Sequence, residues 1–408
     1  MPLSRRQIYR RRRITVFGGL ALVIATAFYL PTTLLAPLPA LTATVIPVSV
    51  APGGAATVAL PSYGASAIGA VGYDELLGSA GTSDPVPMAS ISKLITALVV
   101  LEAKPLAVDE SGPDISFTQA DVDLYHHYLS LNGSIEPVKA GLVLSELQVL
   151  QMLLIPSANN YAASLVNWAF GSQEQFVPVA QAWLAKNGMT STTVIEPTGI
   201  DPANASTAAD LVLLGKLALA NPVVTKIVST DKVDIPGVAT VKNTNALLGV
   251  DGVDGLKTGT LEDFGANLLF SAAYTIGTST IQVVGVVLGG KDHDVIDKDI
   301  QTLLTGVYAG FHEVPLTTKG AVYGHYDTPW GDDADLVAAT TTSALVWSDT
   351  PVTALVTTKP LHLASAGEES GSLHFTIGDR VVEVPLELSA TVEDPGVVWR
   401  LTNPAALF

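Results

Sequence analysis

From Ile14 to Tyr73 the chain carries no charged side chain, and its first stretch, ITVFGGLALVIATAFYL (residues 14–30), is apolar. As a helix rising about 1.5 Å per residue, that stretch is near the shortest length that crosses a hydrocarbon core. Residues 31–62, rich in Pro, Thr, Ala and Val, read as a spacer with room for one strand. GASAIGAVG and YDELLG, within 64–80, have the pattern of two short strands at a sheet edge. Pro85 and Pro87 close a turn. Ile91, Leu94, Leu98 and Leu101 then recur at helical spacing, which predicts a helix over 90–103 that starts at a serine and buries one face.

Between Phe117 and Pro222 the pattern stays helical, with candidate helices at 118–128, 142–155, 158–169, 172–186 and 206–220. The period then changes. DKVDIPGVATV, VDGLKTGT, GANLLFSAAY and IQVVGVVLGG are valine-rich, strand-like and broken by turn residues, and a last helix fits 294–308. Strands, helices, consecutive strands and a final helix predict an α/β domain over 63–313, an antiparallel sheet flanked by helices with a helical lobe inserted after the first of them. Over 320–408, SALVWS, VTALVTT, SLHFTIGD, RVVEVPLEL and VVWRL read as short strands with no helix among them, a separate small all-β domain.

Charge sharpens the picture at the amino terminus. Six arginines lie in residues 1–13, and the other 395 residues carry 15 basic and 38 acidic side chains, a formal net charge of −23. A basic tail (1–13) before an apolar segment (14–30) predicts a cytoplasmic tail and a membrane segment, with everything beyond exported. A cleaved signal peptide is the competing reading, since Ala25-Thr26-Ala27 has the small-x-small form of a cleavage site. Phe28, Tyr29 and Leu30 continue the apolar run and favour retention. A body this acidic excludes nucleic acid as a partner. The chain has no cysteine, which excludes disulfides, thiol catalysis and cysteine-ligated zinc. Its seven histidines show no metal-ligand spacing and no Ser-His-Asp arrangement, and no metal or cofactor is expected.

Three short strings carry candidate chemistry. In Ser90-Ile91-Ser92-Lys93 the serine and lysine are one helical turn apart, within reach of a hydrogen bond. A serine becomes a nucleophile when a base takes its proton, and a lysine serves as that base only where burial or nearby positive charge keeps it partly neutral. Ser157-Ala158-Asn159 falls in a break between helices, where a hydroxyl can relay a proton and an amide can hold a carbonyl or a lysine. In Lys257-Thr258-Gly259-Thr260 the glycine clears one strand face for a ligand, beside a positive charge and two hydroxyls. Each string alone also fits ordinary structure: a capped helix, a second cap, a bulge. Together and in this order they match the SxxK, SxN and KTG set of penicillin-interacting serine enzymes.

The sequence resembles the D-alanyl-D-alanine carboxypeptidases, the low-molecular-mass penicillin-binding proteins classed as serine peptidase family S11. PMASISKLITALVVLEA, LLIPSANNYAASLV, TTVIEPTGIDPANASTAADLVLLGKLAL, KNTNALL and VDGLKTGT carry the likeness, which covers about 65–310. The resemblance implies a β-lactamase/transpeptidase-like fold in the bacterial cell envelope, acting on peptidoglycan stem peptides ending in D-Ala-D-Ala and covalently inhibited by β-lactams. It makes Ser90 the acylated nucleophile and Lys93 its base. Ser157 passes a proton to the leaving amine, and Asn159 orients the substrate and Lys93. Lys257, Thr258, Gly259 and Thr260 bind substrate, with the backbone N–H groups of Ser90 and Thr260 as the oxyanion hole.

The likeness has departures. Members of that family often have an aromatic residue between KTG and a threonine, and an arginine beyond the last sheet strand that meets the substrate carboxylate. Here Thr260 follows KTG directly, and GGKDHDVIDKD offers Lys291 and Lys298. Glu196 stands where those enzymes typically have asparagine, in the part of the chain where class A β-lactamases carry a deacylating glutamate. Its EPTG context indicates a buried or capping role instead. A β-lactamase, an endopeptidase or transpeptidase, and a catalytically silent wall-binding protein remain the alternatives.

Overall fold

The computed structural model describes residues 4–408, which form two compact units. One holds Gly54–His312 with Trp347–Asp349, and the other gathers the residues up to Gly53, Glu313–Val346 and Thr350–Phe408.

The first unit is built on a five-stranded sheet in the order Val253–Leu261, Gly265–Ile276, Ser279–Gly290, Ala65–Ala70, Leu76–Gly81, antiparallel throughout. Pairing sets Lys257 opposite Leu269, and Val286 opposite both Leu269 and Ala67. Leu269, Val284, Val286 and Leu288 enter a core shared with the helices, while Phe270, Val283 and Val287, of the opposite parity, are buried as well. Two covered faces explain why IQVVGVVLGG reads as a nearly continuous apolar run rather than an alternation. Helices Ala208–Ala220 and His293–Gly310 pack on this sheet.

The helix expected over 90–103 differs in two ways. Ser90 lies in a 3-10 turn, Ala89–Ile91, and the α-helix runs Ser92–Ala103 with no side-chain cap. Its residues from Ser92 to Leu101 are all buried, not one face of them, because it packs against the helices Glu146–Leu154, Asn159–Phe170, Gln173–Lys186 and Ala208–Ala220. A further helix, Pro222–Val228, follows the last one expected in the lobe. Asn221 accepts hydrogen bonds from Val223 and Val224 N–H, and proline occupies the first turn. Asn221-Pro222, where the expected helical stretch ends, is here a helix start.

The second unit is a six-stranded antiparallel sheet ordered Thr44–Val45, Val322–Tyr326, Ala334–Ala338, Arg380–Leu388, Glu369–Ile377, Val352–Thr358. The stretch 31–62, read as a spacer with room for one strand, supplies a strand at the sheet edge: Thr44 pairs with His325, and Leu41 bridges Leu361. VVWRL, expected as a strand, is the helix Gly396–Thr402. Its valines favour a strand locally, but Arg400 Nη2 donates to Asp394 Oδ2 over 2.6 Å and Nη1 to the Ala36 carbonyl over 2.7 Å, which winds the segment into one turn after another. The apolar segment 14–30 belongs to one helix, Arg5–Leu34, which takes in the arginines and is long and apolar enough to cross a membrane.

Candidate active site

The turn Ala89–Ile91 is pressed between two glycines. Gly199 has φ +80°, and a Cβ there would lie 1.9 Å from the Ala89 carbonyl oxygen. A Cβ on Gly259 would lie 2.9 Å from Ala89 Cβ and 3.1 Å from Ser90 N. Glycine at these two positions lets the 196–204 loop and the Val253–Leu261 strand close on Ser90 from two sides. Ala89 itself has φ +51°, an uncommon conformation for alanine, stored beside the candidate nucleophile.

Lys93 Nζ lies 2.7 Å from Ser90 Oγ and donates to the Thr198 carbonyl over 2.8 Å. The lysine is fully buried. Burial, aided by the positive charge of Lys257 and opposed by Glu196, holds its ammonium well below the ordinary lysine range. A neutral amine keeps two N–H groups and gains a lone pair, so the contact with Ser90 can run in reverse and receive the serine proton. Lys257 is also buried, donates to the Thr258 carbonyl over 3.1 Å and is pushed down to about 7 by burial.

Ser157 sits in the break between helices Glu146–Leu154 and Asn159–Phe170 at φ +64°. Its Oγ and Asn159 Oδ1 are buried and have no hydrogen-bond partner among the described residues. Asn159 begins its helix and lines the same cleft as Ser90, Asn132, Gly199, Thr260 and Phe264. Strand alternation separates the two threonines of the third string from Lys257 and Gly259. Thr258 Oγ1 is 2.5 Å from Thr244 Oγ1, and Thr260, exposed, reaches the cleft.

Several participants escape sequence reading. Lys291 and Lys298, the cations offered for a carboxylate, are both exposed. It is His293, at the start of its helix, whose Nε2 lies 2.9 Å from Thr260 Oγ1. Glu196 organises the loop under Lys93: its carboxylate accepts from Thr198 N at 2.7 Å, Thr198 Oγ1 at 2.7 Å, Gly199 N at 2.6 Å and Asn204 Nδ2 at 2.9 Å. Both oxygens are occupied by the loop itself, in keeping with a capping role. With no free lone pair aimed at the cleft, Glu196 is a poor holder of a hydrolytic water. Glu196→Gln is accordingly expected to change the half-life of a penicilloyl adduct by less than about fivefold, whereas loss of a general base costs about 10²–10⁴. Stopped-flow release that is a hundredfold slower in the variant would contradict this.

The model of the D-alanyl-D-alanine carboxypeptidase family of serine peptidases, S11, matches residues 73–292, more than half of the chain, and spans all three strings. The chain belongs to this family. Among its curated relatives, the D-alanyl-D-alanine carboxypeptidase DacC of Escherichia coli is 27% identical over 286 residues, 69% of this chain and 70% of that protein. A D-alanyl-D-alanine endopeptidase of Pseudomonas aeruginosa is 37% identical over 129 residues, 32% of this chain and 38% of the relative. Among solved structures, a peptidoglycan synthesis regulatory factor of Streptococcus pneumoniae superposes with a TM-score of 0.61 at 20% identity, over 82% of this chain and all of that one. That likeness concerns the fold, a penicillin-binding-protein fold as the motifs imply. Within the S11 family the two-glycine cradle and the Glu196 loop explain how this chain presents Ser90 to Lys93.

Proposed function

We propose that this serine-type carboxypeptidase removes the terminal D-alanine of peptidoglycan stem peptides through an acyl-enzyme at Ser90. The observation that carries the reading is the 2.7 Å contact between Ser90 Oγ and an amine that burial and Lys257 hold well below the ordinary lysine range. In the first step Lys93 takes the Ser90 proton as Oγ attacks the carbonyl carbon of the D-Ala-D-Ala bond. The N–H groups of Ser90 and Thr260 receive the oxyanion, supported by the positive field of Lys257. Ser157, beside Asn159, relays the Lys93 proton to the departing amine, and D-alanine leaves. Water then attacks the ester and frees the shortened peptide, returning the proton to Ser90. A β-lactam follows the first step but retains its leaving group in the adduct, so deacylation is slow.

The helix Arg5–Leu34 anchors the enzyme, with its arginines in the cytoplasm and the catalytic unit on the outer face of the membrane. The partial likeness to an endopeptidase raises a second specificity, cleavage of a D-alanyl bond inside a cross-link. One experiment decides between them. The purified protein should release free D-alanine from a soluble peptide ending in D-Ala-D-Ala, with little cleavage of a cross-linked dimer. Dimer cleavage without D-alanine release would establish the endopeptidase instead, and neither activity would end the enzymatic reading.

A further inference from the structure

A carboxypeptidase must hold a free carboxylate next to the bond it cuts, and the inference that follows rests on that reading. The lysines nearest the reaction centre, Lys93 and Lys257, are buried and engaged with the Thr198 and Thr258 carbonyls. At the mouth of the cleft stands Thr260, exposed and next to KTG. A threonine hydroxyl has one proton to donate. Whether that proton faces an incoming anion depends on what else touches Oγ1, and the side chain that touches it is His293, with Nε2 at 2.9 Å.

When Nε2 carries a hydrogen, the ring donates to Thr260 Oγ1 and leaves the threonine proton free to turn to a carboxylate. When Nε2 is bare, Thr260 donates to the ring and presents only lone pairs, which repel an anion. We propose that His293 is the positioning residue for substrate-carboxylate recognition, acting through Thr260 by donating from Nε2 so that the hydroxyl serves as the carboxylate's donor.

The electrostatic setting fits this role. Lys257 faces the imidazole from the neighbouring strand, and Asp292 and Asp294 from its own helix end. The strands Gly265–Ile276 and Ser279–Gly290, on which that helix packs, carry no charged side chain. Burial and Lys257, against the two aspartates, hold the imidazole below its ordinary value. Near neutrality the ring is uncharged and acts as a hydrogen-bond donor. As the pH falls through its value it becomes a cation, both nitrogens donate, and its hold on an anion strengthens. Lys257, at about 7, supplies a separate limb at higher pH.

The test compares acylation of the full-length protein by benzylpenicillin and by its methyl ester, which lacks the charged carboxylate, with intact-mass detection of the Ser90 adduct at pH 5.5 and 7.5. The parent should prefer the acid, and the acid-to-ester rate ratio should fall about tenfold or more in His293→Ala, the scale of one hydrogen bond to a charged group. Glutamine keeps an uncharged N–H donor. His293→Gln should therefore bring the ratio at pH 7.5 back to within about threefold of the parent, on the same hydrogen-bond scale, yet lack the rise in ratio that the parent shows as the pH falls through the imidazole's lowered value. A ratio in His293→Ala within twofold of the parent, or a His293→Gln profile that rises like the parent's, overturns the inference while the carboxypeptidase reading stands. A parent that forms no Ser90 adduct with either compound overturns both.

Discussion

Lys93→Arg should acylate with benzylpenicillin about 10²–10⁴ times more slowly than the parent, the range expected for loss of a general base. A guanidinium stays protonated at any accessible pH and has no lone pair to accept the Ser90 proton. The environment of Lys93 works the other way: full burial and the charge of Lys257 favour its neutral amine, 2.7 Å from Ser90 Oγ. The same arrangement fixes the sign of the pH dependence. Acylation should decline as the pH drops through the lowered value of Lys93, because the base becomes protonated. Binding of anionic substrates should weaken as the pH rises past about 7, where Lys257 loses its charge. Ser90→Ala should form no adduct at any pH. A folded Lys93→Arg protein, verified by circular dichroism, that acylates within about threefold of the parent would remove Lys93 from the mechanism.

Gly199→Ala is expected to lower acylation about a hundredfold, since an ångström of misplacement at a reaction centre has that scale. Two penalties meet there. The backbone at φ +80° is strained for alanine, and the new Cβ would sit 1.9 Å from the Ala89 carbonyl oxygen, so the turn carrying Ser90 or the loop carrying Thr198 must move. Either shift separates Ser90 from Lys93, because Thr198 holds the lysine through its carbonyl. Gly188→Ala is the matched control. It has φ +79°, but its Cβ would meet only the Leu213 side chain at 3.8 Å. Both variants should lose stability in thermal unfolding, by about 1–2 kcal/mol from the left-handed backbone alone, and only Gly199→Ala should lose acylation in proportion to the clash. Equal acylation rates in the two would show that the cradle does not position Ser90.

Much of the candidate constellation was legible in the residues because its spacing is local. Ser90 and Lys93 lie one turn apart in any helical conformation, and Gly259 marks a cleared strand face wherever the strand goes. The helices Asn159–Phe170 and Gln173–Lys186 and the strands that follow appear close to where periodicity places them, since each buries a pattern that a short window contains. The sequence by itself thus determined the identities of the candidate nucleophile and base, most of the elements of the first unit and the family.

The tertiary structure decided what depends on partners distant in the chain. VVWRL is a helix because Arg400 reaches Asp394 and, 364 residues away, Ala36, contacts that outweigh the strand preference of two valines. The uncharged stretch after the membrane segment becomes an edge strand only once Val322–Tyr326 lies beside it. Nothing in EPTG announces that Glu196 gathers the loop whose carbonyl holds Lys93, and nothing in GGKDHDVIDKD selects His293 over two lysines as the neighbour of Thr260. Local pattern encodes which face of a segment is apolar. Which face it meets, and so which lysine is held below its ordinary range and which hydroxyl lies against His293, follows from packing between elements brought together by the fold.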